Sequence, residues 1–490
     1  MYLGIDLGTS EIKFLLLDGR NHVVTTIREQ LTLSHPQPLW SEQNPQDWWA
    51  ATDRGLARLA ATFAQEMASV RAIGLSGQMH GAVLLDAHNV VLRPAILWND
   101  GRSSAQCATL ERSVPGLSKI AGNLAMPGFT APKLLWVREY EPGVFARTAR
   151  VLLPKDWLRL KLCGAAVSDF SDASGTLWLD AGARRWSDEL LAATGLTTRH
   201  MPQLVEGSQA SGRLLPELAR RWGLPQDTVI AGGAGDNAAS AVGMGLVRPG
   251  QGFVSLGTSG VIFVTTDQFL PNPEKAMHAF CHAVPGRWHQ MSVMLSAASA
   301  VSWAARNFGF SDEAALIAAA ATLGSEARDR APIFLPYLSG ERTPHNNAHA
   351  QAVLFGLTAS HERHDMAYAV LEGVSLGLLD GFNTLRLPAS SAVAGLSVVG
   401  GGARSAAWAQ LLADTLGISL TTHDASTAGA ALGAARLGWL ASGGREAEVC
   451  TVPAVTQRFE PQASEHQRLQ ARYQRFRALY GQMRAQFEAV

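Results

Sequence analysis

The residues best placed for chemistry in this chain are a few carboxylates and hydroxyls set among glycines. In Thr228-Val229-Ile230-Ala231-Gly232-Gly233-Ala234-Gly235-Asp236-Asn237, a short apolar run feeds a glycine-rich turn that ends on a carboxylate. Asp236 at such a point could take the proton from a hydroxyl as that hydroxyl attacks a phosphoryl group. It could equally be the N-cap of a helix beginning near Asn237, since Asp is among the strongest N-caps and would satisfy free N–H groups there. Three glycines crowding the approach, and the small residues Ala238-Ala239-Ser240-Ala241 after it, favour something bulky packing or binding closely, which a cap alone does not need.

A second group of candidates lies on two turns. Residues Tyr2 to Leu7 read as a buried strand, Gly8-Thr9-Ser10 as a tight tip, and Ile12 to Leu17 as the returning strand. The tetrapeptide Leu-Gly-Thr-Ser recurs 249 residues later, in Leu256-Gly257-Thr258-Ser259, again between two apolar runs. Glycine lets a backbone approach a ligand closely, and the Thr9 and Thr258 hydroxyls and nearby N–H groups can donate to phosphate oxygens. Either tip alone could be an ordinary hairpin turn, but two copies half a chain apart suggest two related domains with facing phosphate-binding tips. The copies differ at one position: Asp6 precedes the first tip where Ser255 precedes the second. A hard cation such as Mg²⁺ takes one or two carboxylates with phosphate oxygens, so Asp6 is a candidate anchor, and otherwise a turn cap.

Elements must position these groups. Leu396 to Val399 reads as a strand entering Gly400-Gly401-Gly402-Ala403-Arg404-Ser405, with a helix from Ala406 to Leu416, an arrangement that invites a nucleotide. No segment fits the dinucleotide fingerprint with its acidic residue, nor the P-loop with its lysine. The chain's 490 residues exceed one ordinary core, and 47% hydrophobic, 17% charged composition with 47 Gly is that of a large α/β protein. Lys plus Arg equals Asp plus Glu at 41 each, so no general field attracts nucleic acid or an anionic membrane. The four cysteines stand far apart, no apolar run is long enough to span a bilayer, and Asp6 interrupts any leader-like start. A cytoplasmic protein is expected.

Taken in order, Asp6-Leu7-Gly8-Thr9-Ser10, Gly235-Asp236-Asn237, Leu256-Gly257-Thr258-Ser259 and Gly400-Gly401-Gly402-Ala403-Arg404 resemble the FGGY carbohydrate kinases over nearly the whole chain. Gln78-Met79-His80-Gly81, Leu97-Trp98-Asn99-Asp100-Gly101-Arg102, Lys155-Asp156 and Tyr337-Leu338-Ser339-Gly340-Glu341-Arg342-Thr343-Pro344 are similar to the members that act on D-xylulose. The resemblance implies an α/β fold of two actin-like (ribonuclease-H-like) domains with an interdomain cleft. Residues 1–247 would bind sugar and 248–490 ATP. It implies Asp236 as general base, Asp6 at Mg²⁺, and Gln78, Met79, His80, Asp100 and Asn237 at the sugar. Thr9, Gly257 and Thr258 would meet the phosphates, and Gly401 and Gly402 the adenosine. Ribulose, glycerol or gluconate are alternative substrates, and an actin-like ATPase chaperone is an alternative of another class.

Several of these residues have plainer readings. Met79 could fill a core, His80 could be an exposed loop residue, and Trp98, Asn99, Asp100 and Arg102 could form an ion-paired turn. Glu11 stands where the family commonly has Gly; a carboxylate pointing inward would repel phosphate, so it is expected to face solvent. The small-residue run Ser426 to Gly433 suits close approach to nucleotide or to a neighbouring strand. Glu465 to Val490 reads as an amphipathic helix whose apolar positions pack internally or on a second copy, leaving a homodimer open.

Overall fold

Each half of the chain builds a sheet outward from the hairpin that carries its Gly-Thr-Ser tip. A computed structural model describes residues 1–388, 392–423 and 429–488. In the first half, Tyr2–Leu7 pairs antiparallel with Glu11–Leu17, and Val23–Gln30 adds antiparallel beyond it. On the open side of Tyr2–Leu7 lie Ala72–Gly77 and then Val229–Ala231, both parallel, and Ala210–Arg213 as an antiparallel edge. In the second half, Gly252–Leu256 pairs with Gly260–Thr266, and Trp288–Met294 and His278–Cys281 extend that side. Gly395–Val399 and Ser419–His423 run parallel on the other side, closed by antiparallel Val455–Phe459. The same run of directions in both sheets is the structural form of the 249-residue repeat.

Burial follows the sequence pattern. Tyr2–Leu7 is apolar apart from Gly4 and Asp6 and buried at every position, as a central strand covered on both faces must be. Val23–Gln30 alternates half-buried and exposed residues, as an edge strand with one wet face does. The first core centres on Leu3, Ile5, Phe14, Trp48, Trp157 and Trp222. The second gathers around the long helix Arg363–Phe382 and the terminal helix Ala463–Glu488. Leu469, Phe476 and Leu479 of that terminal helix are buried, and Phe476 and Leu479 lie in the second core, so its apolar stripe packs internally.

The halves interlock through two helices. Ala430–Ala441 comes from the second half yet lies on the first sheet and against Asp236–Gly243. Glycine is required at the crossing: a Cβ on Gly74 would stand 1.7 Å from the Ala434 carbonyl oxygen, and one on Gly433 1.7 Å from that of Ala239. The small-residue run therefore serves helix-to-strand and helix-to-helix packing from Gly429 onward, while Ser426-Thr427-Ala428 lie outside the described residues. Among the described residues no helix is long and apolar enough to cross a membrane, and the four cysteines are free thiols.

Candidate active site

Parallel pairing brings the candidates together. Leu7 lies beside Gly77, and Gly77 beside Gly235, so the first tip, Gln78 and Asp236 leave the same end of three adjoining strands. The carboxyl ends of parallel strands are where open α/β sheets bind ligands. Asp236 is the first residue of its helix and Gly235 the N-cap, which corrects the expectation that Asp236 caps the helix. Its Oδ1 accepts from Asn237 N at 2.7 Å and Asn237 Nδ2 at 2.9 Å. Oδ2 has no protein partner among the described residues. Burial, and then the neighbouring Asp6 carboxylate, push the Asp236 carboxyl up to about 6.

Asp6 sits on the central strand between Lys13 and Ser76 of the flanking strands. Burial raises its pKa, and Lys13 and Ser76 only partly oppose that. Its Oδ1 is buried without a hydrogen-bond partner among the described residues. An orphaned carboxylate oxygen beside a second carboxylate suits a hard divalent cation or one of its waters.

His80 has a left-handed backbone, φ 69°, which is strained for a non-glycine residue and persists only where neighbours fix it. Its carbonyl accepts from Thr130 Oγ1 at 3.0 Å and from the buried Lys133 Nζ at 2.9 Å. Its Nδ1 lies 2.7 Å from the Gly175 carbonyl oxygen, so Nδ1 carries the proton. Burial drives the ring down to about 3. The neutral ring therefore keeps Nε2 as an acceptor, braced by Phe129 at 4.7 Å and Phe280 at 6.2 Å between centroids. Met79 packs on Gly235, which leads into Asp236: a Cβ there would come within 2.8 Å of the Met79 Sδ. Met79 thus fills a core position and reaches the turn before Asp236 at once.

Gln78 and Thr9 are bound to each other. Thr9 Oγ1 donates to Gln78 Oε1 at 3.1 Å and accepts from Trp98 Nε1 at 3.0 Å, and Gln43 Nε2 holds the Thr9 carbonyl at 2.7 Å. Gln78 Nε2 donates to Gln43 Oε1 at 3.1 Å. Both polar ends of Gln78 are engaged at the hairpin tip. Asp100 forms the ion-paired turn: Oδ2 accepts from Ser41 N and Arg102 Nη2, and Oδ1 from Arg102 N and Nε. Glu11 does not face open solvent; it lies along the hairpin, 3.4 Å from Lys13 and 3.6 Å from Arg28, with its charge offset there.

Across the cleft, Gly257, Thr258, Gly401 and Gly402 line one cavity of about 750 Å³ with Ala298 and Trp408. That volume suits a nucleotide-sized ligand. Thr258 is exposed and uses its carbonyl to hold Ala297 N at 3.0 Å, leaving its hydroxyl unclaimed by protein among the described residues. Gly400 takes φ 88°, and a Cβ on Gly402 would meet Leu256 and Trp408 at 2.7 and 2.8 Å, so this glycine turn is pressed against the second tip.

The supports carry no motif of their own. Lys133 and Thr130 lie about fifty residues from the His80 carbonyl they hold. Lys13, opposite Asp6, is absent from the sequence-based candidates, although its place on the returning strand follows from the hairpin register. Behind Asp236, Lys155 Nζ stands 2.6, 2.7 and 3.0 Å from Asp156, Asp169 and Asp172, all fully buried. These three carboxylates could hold a cation, and the Lys155 ammonium already fills that role. Asp169 Oδ2 then accepts from Ser171 N at 2.8 Å, and Ser171 Oγ accepts from Gly235 N at 3.2 Å, tying the cluster to the turn before Asp236.

Two sheets of one topology meeting through crossed helices, each built on a hairpin with a glycine tip, are the actin-like ATPase fold, and solved sugar kinases share it along almost the entire chain. The chain belongs to the FGGY family of carbohydrate kinases: the family's N-terminal domain matches residues 1–243 and its C-terminal domain residues 252–442. It is thus an ATP-dependent sugar kinase. It is 51% identical to the xylulose kinase of Escherichia coli (strain K12) over 99% of each chain, and 52% identical to that of Klebsiella pneumoniae over 90% of each. A crystal structure described as a xyloylose kinase from Brucella ovis is similar at a TM-score of 0.95 and 48% identity, covering 99% of both chains. The xylulose kinase from Rhodospirillum rubrum is similar at 0.91 and 28% identity, again over 99% of both.

Proposed function

We propose that this kinase transfers the γ-phosphoryl group of ATP to the terminal hydroxyl of D-xylulose, giving D-xylulose 5-phosphate and ADP. The observation that carries the substrate is identity of about half, end to end, with two xylulose kinases. Asp236 is the general base. Asn237 holds one of its oxygens, the other takes the hydroxyl proton, and burial keeps its pKa near 6, so the carboxylate is ionised yet basic at neutral pH.

The geometry supports the remaining roles proposed. His80 Nε2 accepts from a sugar hydroxyl, Met79 offers the apolar wall, and Asn237 lies beside the reacting end. Gln78 acts one step back, by fixing the Thr9 tip, and Asp100 by fixing its turn. Thr258 and the Gly257 backbone receive phosphates, and Gly401 and Gly402 flank the adenosine. Asp6 would hold Mg²⁺ directly or through water, and the ion would supply charge neutralisation at the phosphoryl oxygens. Closing the lobes excludes water, so the hydroxyl and not water takes the phosphoryl group. We assign the two halves, 1–247 and 248–490, to sugar and nucleotide respectively, and the enzyme to the cytoplasm.

Coupled ADP release measured across D-xylulose, D-ribulose, glycerol and gluconate tests the substrate. Preference for D-xylulose by about tenfold or more in kcat/KM is expected, and a higher value for another sugar would reassign it. The chaperone alternative is not favoured by the full-length likeness to sugar kinases.

A further inference from the structure

The loop carrying Glu341, Arg342 and Thr343 is stitched to the second sheet where that sheet faces the sugar side of the cleft. Thr343 N donates to the Val293 carbonyl at 3.1 Å, Val293 N donates to Thr343 Oγ1 at 3.1 Å, and Leu295 N donates to Glu341 Oε1 at 3.0 Å. Val293 pairs with Val261, and both pack with Met79, Phe129 and Phe280 in one apolar cluster that spans the halves. The Arg342 guanidinium thereby comes to the sugar side from the opposite lobe. Its Nη1 lies 3.3 Å from His278 Nε2, the His278 ring is 5.6 Å from Phe129, and Phe129 is 4.7 Å from His80.

Arg342 is half-buried and, among the described residues, makes no ion pair. The adjacent Glu341 carboxylate is held by backbone groups, Oε1 accepting from Leu295 N at 3.0 Å and from Arg342 N at 2.7 Å, and forms no side-chain ion pair with the guanidinium among the described residues. A guanidinium brought out of water without a counterion is costly unless something pairs with it, and His278 takes only one of its five donors. The approach of Arg342 to the site runs through His278 and Phe129 to the His80 ring, and among the described residues it makes no hydrogen bond or ion pair with Asp236. Arg342 therefore stands at the His80 end of the site, away from the hydroxyl that Asp236 serves.

We infer that Arg342 is a substrate-specificity residue supplied by the second lobe, donating to the carbonyl oxygen at the end of the ketose opposite the phosphorylated hydroxyl. This rests on the D-xylulose reading above. A carbonyl oxygen only accepts and a guanidinium only donates, so the pair discriminates a ketose from the polyol formed by reducing that carbonyl, whose hydroxyl also brings a proton to be placed. The contact also gives the second lobe a reason to close only over sugar.

The test compares the parent enzyme with Arg342→Met and Arg342→Lys on D-xylulose and on xylitol, with KM for ATP and the melting temperature of the sugar-free protein as controls. Loss of one charge-assisted hydrogen bond predicts that Arg342→Met raises KM for D-xylulose about ten- to a hundredfold. The ketose-to-polyol ratio of kcat/KM should fall by about tenfold or more, KM for ATP should be unchanged, and Arg342→Lys should be intermediate. An unchanged KM for D-xylulose, or equal losses on ketose and polyol, overturns the inference. Should Arg342→Met melt well below the parent, the ketose-to-polyol ratio of Arg342→Lys decides by the same criterion. Failure of the parent itself to phosphorylate D-xylulose refutes the function proposed above and is read separately.

Discussion

Replacing Asp6 with asparagine should move the pH at which Asp236 ionises. The Asp236 carboxyl lies near 6 against a usual 3.8 because burial, first, and the Asp6 charge, second, both disfavour its anion. The Asp6→Asn change keeps the shape of the side chain and removes only the charge. Burial remains, so the fall is a part of the whole displacement, on the order of one unit, or roughly 1.4 kcal/mol in the cost of ionising Asp236. The base works only when ionised, so activity is lost as pH falls through its pKa. The acid limb of kcat/KM for the sugar, which reports the free enzyme, should lie near pH 6 in the parent and about one unit lower in Asp6→Asn. The assay is coupled ADP release from about pH 5 upward with a buffer series of constant ionic strength, and with MgATP kept well below its KM so that Asp6 carries no ion in the free enzyme that the acid limb reports. An acid limb that stays in place in Asp6→Asn, or moves upward, refutes the coupling of the two carboxylates.

Other consequences follow from packing and positioning. Gly74→Ala would place a methyl 1.7 Å from the Ala434 carbonyl oxygen. The crossing helix must then shift, and the urea midpoint should fall by the equivalent of about 3 kcal/mol or more; an unchanged midpoint contradicts that contact. Gln78→Met should loosen the Thr9 tip and raise KM for ATP about tenfold, as expected for one or two lost hydrogen bonds. Sugar affinity by calorimetry should be unchanged in that variant, and a selective loss of sugar affinity would instead make Gln78 a direct sugar contact.

Much of this architecture is legible in the sequence for physical reasons. Two apolar runs flanking a small-residue tip specify a buried hairpin, and the repetition of that pattern specifies a duplicated sheet. The strand Tyr2–Leu7 and the helix Ala406–Leu416 follow directly from where the apolar residues and glycines stop. The Asp236 helix starts one residue earlier than its sequence suggests, because Gly235, with no side chain to signal it, is the cap. Partners are the illegible part. Gln78 looks like a free polar group at a pocket, yet its hydrogen bond reaches 69 residues along the chain to Thr9; Asp100 pairs with Arg102 as the ion-paired turn implies, but its bond to Ser41 N reaches 59 residues. No local pattern encodes such pairings. The same holds for Ala430–Ala441, whose small residues announce close packing without saying that the surface they meet belongs to the other half.

The central claim is that Asp236 removes the proton from the sugar hydroxyl, and Asp236→Ala tests it most directly. Sugar affinity by titration calorimetry and turnover by coupled ADP release are measured on the same preparation. Sugar binding within a few-fold of the parent and turnover reduced by about a hundredfold or more are expected. Turnover near the parent rate with sugar binding intact would contradict the assignment of Asp236 as the base.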